Sequence, residues 1–443
     1  MMRFSLFFFS FFISYSLLAQ STGTNKYWHN KIQSIHYLPQ DGDFVCANGK
    51  MRFNRALYGT HTAFRVEAGD LPEFALYMPG MGGNFKFGIV ARNKSKWLID
   101  ATFIRAIYRP GAMLYKIKDP LLGNGTMYIS VLALADAEGM IIKTEFKNVT
   151  NNAELIWAFG GASGKKFSRD GDIGADPESS FYLQAENCKD NIYKIDKNSF
   201  QVVYGSGKVL TEEERYEIQH LPENNKPVTE DVKNQKHLNG LFPYSSIVKL
   251  ADAANQQSPF ELYNSTASSS PVITGKIKIE NNENYFLVQN NVSPVTNDYN
   301  LLKTYFTKAE TTRKKIADRI KINTPDKFIN TLGGALSIAA DAIWDPPSYM
   351  HGAVAWRMRL NGWRGPYVAD VLGWHDRARE YFSSYTLSQL TAPPVNGIVM
   401  DTTLHLARHL EKIGTALFSD GYICRSPNDT SRANHYDMNL VFI

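Results

Sequence analysis

Four of the seven tryptophans in the chain, Trp344, Trp356, Trp363 and Trp374, fall within one stretch near its C-terminal end. Residues 344–380 read WDPPSYMHGAVAWRMRLNGWRGPYVADVLGWHDRARE, so the indoles alternate with Arg357, Arg359, Arg364, Arg377, Asp345, Asp370 and Asp376. Flat indole faces beside fixed ionic groups suit a sugar ring, because stacking covers its apolar face while carboxylate and guanidinium groups bond its hydroxyls. The same residues would also suit an aromatic core helix pair with surface arginines, and density alone does not separate the two.

Other chemistries find less support. His405 and His409 have the i, i+4 spacing of a zinc-binding helix, but Leu406 stands where the zinc peptidase pattern needs a glutamate and no third ligand is evident. A surface helix carrying two histidines is the better reading. No G-x-S-x-G elbow occurs, which leaves an esterase without its nucleophile. Gly80, Gly82 and Gly83 lack a GxxxxGK[ST] pattern and a following helix, and they read as a strand corner rather than a phosphate cradle. Cys46, Cys188 and Cys424 fit neither a disulfide framework nor a metal site, although one pair could bridge in an oxidising compartment. Neither a metal nor a cofactor is expected.

These residues need a large scaffold, and 443 residues with 44% hydrophobic and 21% charged content give room for two domains. A formal charge of +5 without a basic stripe makes nucleic acid a poor partner. The start, MMRFSLFFFSFFISYSLLAQ, has an early positive charge at Arg3, an apolar run over 6–18 and a small residue at Ala19. This is the layout of a signal peptide over 1–20, shorter than a membrane span, and it predicts an exported, periplasmic or extracellular protein without a stable membrane anchor.

Short runs rich in β-branched and aromatic residues follow, at 85–91, 97–104, 127–134, 140–146, 155–159, 192–195, 200–204 and 272–279, each bounded by turn residues. Ile277 and Ile279 alternate with Lys276, Lys278 and Glu280, the mark of a strand with one buried face. Such a pattern predicts a large antiparallel β-sandwich over 21–295. The only helix foreseen within it lies at 210–220, and the charged stretch 211–237 reads as an exposed excursion.

The character then changes. Leu302, Tyr305, Phe306, Ala309, Ile316 and Ile320 form a helical stripe that predicts a linker helix within 296–323. Thr324, Pro325 and Asp326 read as an N-cap, a first-turn proline and a first-turn acid. They would open a helix with Phe328, Leu332, Ala335, Leu336, Ala339, Ala342 and Ile343 on one face and small residues, Gly333 and Gly334 among them, for close packing. Further helices are expected at 365–390, at 398–417 and from His435, giving hairpins over 324–443. The apolar ending NLVFI has no helix stop signal, which predicts an incomplete helical domain and a truncated chain.

A sandwich, a linker helix, a TPD-started helix and then NGWRGPYVADVLGWHD resemble the (α/α)6-barrel glycosidases with an N-terminal sandwich, which include glucoamylases, trehalases and the maltose and kojibiose phosphorylases. The phosphorylase element RGYRGHxFWD is similar to Trp363, Arg364, Gly365 and Pro366 through Trp374, His375 and Asp376, with a longer gap between the halves. More closely, NRALYG, DLPEFALYMPGMGGNFKFGI and HGAVAWRMRLNGWRGPYVADVLGWHDRA resemble an uncharacterised exported bacterial family defined only by a domain of unknown function. The glycosidase resemblance implies Asp376 as acceptor for sugar hydroxyls, Trp374 and Trp363 as stacking surfaces and Arg364 as a charged orienter. It also implies a site role for His435 and Asp437, with Asn439, in HYDMNLVFI, similar to an element that starts a later barrel helix. As alternatives, Arg364 and Asp376 could form a simple ion pair, and His435 could cap its helix.

Glycosidic cleavage needs a carboxylic acid and a second carboxylate. By the resemblance both would follow Ile443, which leaves the catalytic residues unassigned and Asp345, Asp370, Asp376, Glu380 and Asp401 as the carboxylates at hand. The expectation is an exported glycoside hydrolase with a carbohydrate substrate. A phosphorylase would release sugar phosphate outside the cell, which makes it a poor fit. A polysaccharide lyase acting on uronates and a non-catalytic carbohydrate-binding protein remain open.

Overall fold

The computed structural model describes residues 26–28, 31–33, 35–78, 81–150, 152–162, 181–189, 191–204, 237–267, 269–353, 359–360, 364–389, 399–401, 406–408, 423–424 and 427. The predicted leader, the helix at 210–220 and the helix from His435 lie outside them. So does the excursion at 211–237, apart from His237, which opens a strand.

Two antiparallel sheets hold most of the strands among the described residues. Sheet A runs, edge to edge, through Ile192–Asp196, Ser199–Val203, His237–Leu241, Glu283–Asn290, Gly139–Lys147, Thr126–Ala133, Ala112–Lys118, Phe103–Arg109, Asp43–Ala47 and Leu38–Gln40. Sheet B runs through Ile247–Asp252, Pro271–Lys278, Ala153–Gly160, Met81–Ala91, Glu73–Met78, Arg65–Ala68 and Arg55–Leu57, with Lys94–Trp97 also paired to Met81–Ala91. Alternation decides the inward face: Ile277 and Ile279 are buried while Lys278 and Glu280 are exposed. Between the sheets, Phe85, Phe87, Trp157, Phe242 and Phe286 form an aromatic cluster, with Phe87 and Trp157 each 5.1 Å from Phe286 in edge-to-face contact.

The expected run at 97–104 proves to be two elements. Trp97 ends one strand, Leu98–Asp100 make a 3-10 turn, and Phe103 starts the next strand. The buried Asp119 fixes the corner, accepting from the Thr102 amide and hydroxyl and from Lys96. Gly82 and Gly83 sit at positive φ in the hairpin joining Glu73–Met78 to Met81–Ala91, as a strand corner requires.

The helices begin on the sandwich. Helix α1, Pro259–Asn264, is short and packs on sheet B. Helix α2, Leu302–Ala317, lies across the outer face of sheet A, where Leu302 and Ala309 join Leu132, Ile141 and Leu287 in a second apolar cluster. Burial on both faces explains why the central strand of sheet A reads as the unbroken run Met140, Ile141 and Ile142 rather than as strict alternation.

Helix α3, Lys327–Ala342, is capped two residues later than predicted. Asp326, not Thr324, accepts from the Phe328 and Ile329 amides at 2.8 and 3.4 Å, because a carboxylate at that position reaches two orphan donors at once. Its buried side also differs from the expected one. Leu332 and Leu336 are 42% and 52% exposed, while Thr331, Gly333, Ser337, Ile338, Ala340, Asp341 and Ala342 face inward. Small residues decide this: a Cβ on Gly334 would come within 2.9 Å of Pro110 Cγ, and one on Gly333 within 3.0 Å of the Ile320 carbonyl. The helix therefore packs by its narrow side and leaves its leucine row outward.

The expected helix at 365–390 is broken into α4, Arg364–Val371, and α5, His375–Ser383, followed by a 3-10 turn at Thr386–Ser388. Gly373 breaks it, at φ +71. Its amide bonds the Asp370 carbonyl at 3.0 Å and the Trp374 amide bonds Ala369 at 2.7 Å, the paired bonds of a Schellman stop. Within the helix expected at 398–417, the described residues form a hairpin of Val399–Asp401 with Leu406–Arg408 instead. Val399 and the β-branched pair Thr402 and Thr403 oppose helix formation there. His405 and His409 lie outside the described residues.

Candidate functional site

Asp341 is the one acid inside α3, one turn after Ser337, and both point to the buried side of the helix. That side meets three other elements. The first is the 57–65 connection of sheet B, from which His61 Nε2 reaches within 3.3 Å of Asp341 Oδ1. The second is α5, from which Arg377 Nη2 donates to the same oxygen at 2.7 Å. The third is the small hairpin of Trp344–Asp345 with Ser348–Tyr349. A single buried carboxylate thus joins the sandwich to the helices.

The aromatic residues support this cluster rather than opening onto solvent. The Arg377 guanidinium lies 4.3 Å from the Trp374 ring and 5.7 Å from Trp344, and Arg319 approaches Trp374 to 5.0 Å. Trp344 and Tyr349 pack with centroids 4.8 Å apart. Gly365 permits α4 to start against this hairpin, since a Cβ there would meet Tyr349 Cβ at 2.6 Å.

Electrostatics set what the cluster can do. Burial works to raise the Asp341 carboxyl, but His61 and Arg377 outweigh it and hold it below the ordinary carboxylate value. Asp341 is therefore an acceptor at neutral pH and not a proton donor. Burial pushes the Tyr349 phenol up to about 12, against the pull of Arg377, so it stays protonated. Of the buried polar atoms here, Ser337 Oγ has no hydrogen-bond partner among the described residues, while Tyr349 Oη and Arg377 Nη1 face each other without a well-formed bond. Orphaned buried polar atoms are costly, each by about 1–3 kcal/mol, so a polar partner such as a buried water is called for beside them. A crevice at Asp341, also walled by Arg313, Tyr58, Thr312 and Ile338, has about 10 Å³ of free space, room for one water. Among the described residues, no three histidine, cysteine or acidic side chains are placed to hold a metal.

The predicted site residues separate. Trp374 is 8% exposed, set between Arg377 and Arg319. Asp376, one residue before Arg377, has a side chain 96% exposed and pairs with Arg379 at 3.2 Å across the first turn of α5. Arg364 opens α4. Trp363, His435, Asp437 and Asn439 lie outside the described residues. Of the other carboxylates, Asp370 contacts His375 at 2.9 Å at the surface, Glu380 is exposed, and Asp345 sits in the hairpin opposite Ser348. Sequence reasoning passed over Ser337, Asp341, Tyr349 and His61. The usable signal was a serine and an aspartate at i, i+4 on the otherwise apolar helix FINTLGGALSIAADAIW.

A family profile described as a domain of unknown function, DUF4450, matches residues 78–310. The chain belongs to the DUF4450 family. The matched region of this DUF4450 protein holds most of the sandwich and the first half of α2, whereas His61, Asp341 and Arg377 fall outside it. No curated protein matches the chain. Among solved structures, it is similar to a bacterial glucoamylase complexed with acarbose, with a TM-score of 0.38 and 10% identity over 76% of this chain and 51% of that one. It is also similar to a family GH92 inverting mannosidase from Bacteroides thetaiotaomicron, with a TM-score of 0.33 and 8% identity over 68% and 35% of the two chains. An α-N-acetylgalactosaminidase from Bifidobacterium bifidum gives 0.30 and 7% over 65% and 41%. The DUF4450 chain thus spans about half the length of these structures or less.

Proposed function

We propose that this protein is an exported carbohydrate-active protein of glycoside hydrolase type that grips a sugar at the junction of sandwich and helices. The observation that carries the reading is the buried, ionised Asp341 shared by His61 of the sandwich and Arg377 of α5, with the Ser337 and Tyr349 hydroxyls buried beside them. The crevice at Asp341 admits one water, so a sugar would meet this cluster from its solvent edge. Asp376, open to solvent beside Arg377, supplies an outer contact for the same sugar. The outward leucine row of α3 supports an (α/α)6 arrangement, since it is the surface a helix offers to a neighbouring helix layer. We keep the boundaries 21–295, 296–323 and 324–443 for sandwich, linker and barrel part, with a leader over 1–20.

Hydrolysis calls for an acid and a second carboxylate, and Asp341 is neither while it stays ionised; its part is to bind. A second reading, a lyase acting on uronates, draws on the adjacency of Tyr349 and Arg377, although a phenol held so high stays protonated at neutral pH and has no phenolate ready to take a proton. The test is calorimetric titration of the full chain with neutral and uronate-containing oligosaccharides, followed by assays for released reducing ends and for unsaturated product absorbance. Binding that Asp341→Asn weakens supports the reading. Equal binding by wild type and Asp341→Asn sinks it.

A further inference from the structure

Tyr244, in the connection after strand His237–Leu241, has 61% of its surface open to solvent. A lone exposed tyrosine is ordinary, but this one is held in place from several sides. Its ring meets Tyr299 at 5.1 Å and 64°, and the Tyr299 hydroxyl accepts the Tyr285 amide at 3.3 Å. The Tyr244 hydroxyl donates to Asp298 Oδ1 at 3.3 Å and accepts from Asn300 Nδ2 at 3.2 Å. Asn300 Nδ2 also bonds Asp298 Oδ1 at 3.1 Å, closing the triangle.

The backbone beneath is equally fixed. Gln289 bonds the Thr296 carbonyl at 2.7 Å and the Val295 amide at 2.9 Å, and Asn239 donates to Asn297 Oδ1 at 2.9 Å. Nearby, Asn239 Oδ1 in the strand His237–Leu241 and Ser246 Oγ in the connection that follows it are buried without a partner. Asp298 Oδ2 and Asn300 Oδ1 make no bond among the described residues.

A preset aromatic face rimmed by a carboxylate and carboxamides has the chemistry that receives a pyranose, its C–H face on the ring and its equatorial hydroxyls on the acceptors. Asp298 makes a poor neighbour for a uronate, which selects neutral chains. We propose that Tyr244, Asp298 and Asn300 form a second sugar-contact platform on the sandwich, which holds a neutral polysaccharide away from the junction. The proposal rests on the carbohydrate reading above.

Affinity electrophoresis of the full chain in native gels cast with galactomannan, amylopectin, arabinoxylan or polygalacturonate tests it. Wild-type protein should be retarded by at least one neutral polymer, and Tyr244→Ala should weaken that retardation about tenfold, a loss of one ring contact. Tyr244→Phe keeps the ring and should lose much less. Asn300→Ala, an exposed change that leaves the ring contact with Tyr299 in place, should fall between the two. If Tyr244→Ala and Asn300→Ala run as wild type, the platform is overturned whatever happens to their melting temperatures. Retardation that Asp341→Asn abolishes and Tyr244→Ala leaves intact also overturns it, while sparing the carbohydrate reading. Stronger retardation by polygalacturonate than by neutral polymers overturns the stated class, and no retardation by any of the four overturns the platform with calorimetry left to judge the junction.

Discussion

Between the two sheets, rings pack on rings; at the junction with the helices, rings pack on guanidinium groups. Phe87 and Trp157 each meet Phe286 edge to face, whereas Trp344 and Trp374 share Arg377. Unpartnered polar atoms occur in both regions, but Thr144 Oγ1 and Trp157 Nε1, within the packed sheets, sit on separate strands. At the junction the Ser337 and Tyr349 hydroxyls lie beside one ionised carboxylate. Isolated orphans are the residue of dense packing, and those beside a buried charge call for a polar partner such as water.

Five experiments can break or sharpen that contrast. Phe286→Ala, in the ring cluster, should cost about 3–5 kcal/mol in denaturant unfolding without changing sugar affinity per folded molecule. A selective loss of affinity would dissolve the distinction. Asp341→Ala leaves Arg377 buried without its anion, and an unfolding loss of about 3 kcal/mol is expected, together with weakened sugar binding in calorimetry.

Acidity provides the third experiment. The Asp341 carboxyl is depressed in the folded state, so its contribution is fully present above the unfolded carboxyl value and disappears as pH falls through the lower folded one. The melting-temperature gap between wild type and Asp341→Asn should therefore begin to narrow as pH falls through the ordinary carboxyl value of about 4 and go on narrowing below it. A gap that stays constant as pH falls would mean the carboxylate carries no such linkage. Gly373→Ala, which forces a side chain into the left-handed stop between α4 and α5, should lower stability by about 1 kcal/mol. Asp376→Ala should be the quietest, within about 0.5 kcal/mol in unfolding, and should weaken sugar binding less than Asp341→Asn. The reverse order would move the centre of the site outward.

The sandwich was legible because alternation is local: Ile277 and Ile279 against Lys276 and Lys278 specify a face without reference to any distant residue. Pro325 and Asp326 marked the start of α3 equally well, and the error of two residues arose because threonine and aspartate are both competent caps. The helical face was misread for a different reason. Leu332 and Leu336 look like core residues, but contact distance is set by Gly333, Gly334 and their partner Pro110, which no periodic count can see. The stop at Gly373 was readable from a single glycine before WHD and was passed over in favour of the longer apolar pattern. Asp341 was hidden because its meaning depends on His61, 280 positions away, and on Arg377, whose own sequence neighbourhood drew attention instead to Asp376. Trp374 shows the same limit, since an indole wedged between two arginines and an indole open to a sugar have identical spelling.

The contact of His61 with Asp341 has a calorimetric consequence. One oxygen is shared by a connection of sheet B and by α5, so the two cannot lose their structure independently without stranding Arg377 in a buried position. Sheet and helices, also joined by α2 on sheet A and by α3 on Pro110, should then melt as a single cooperative unit in differential scanning calorimetry, and His61→Ala should lower that peak's temperature without dividing it.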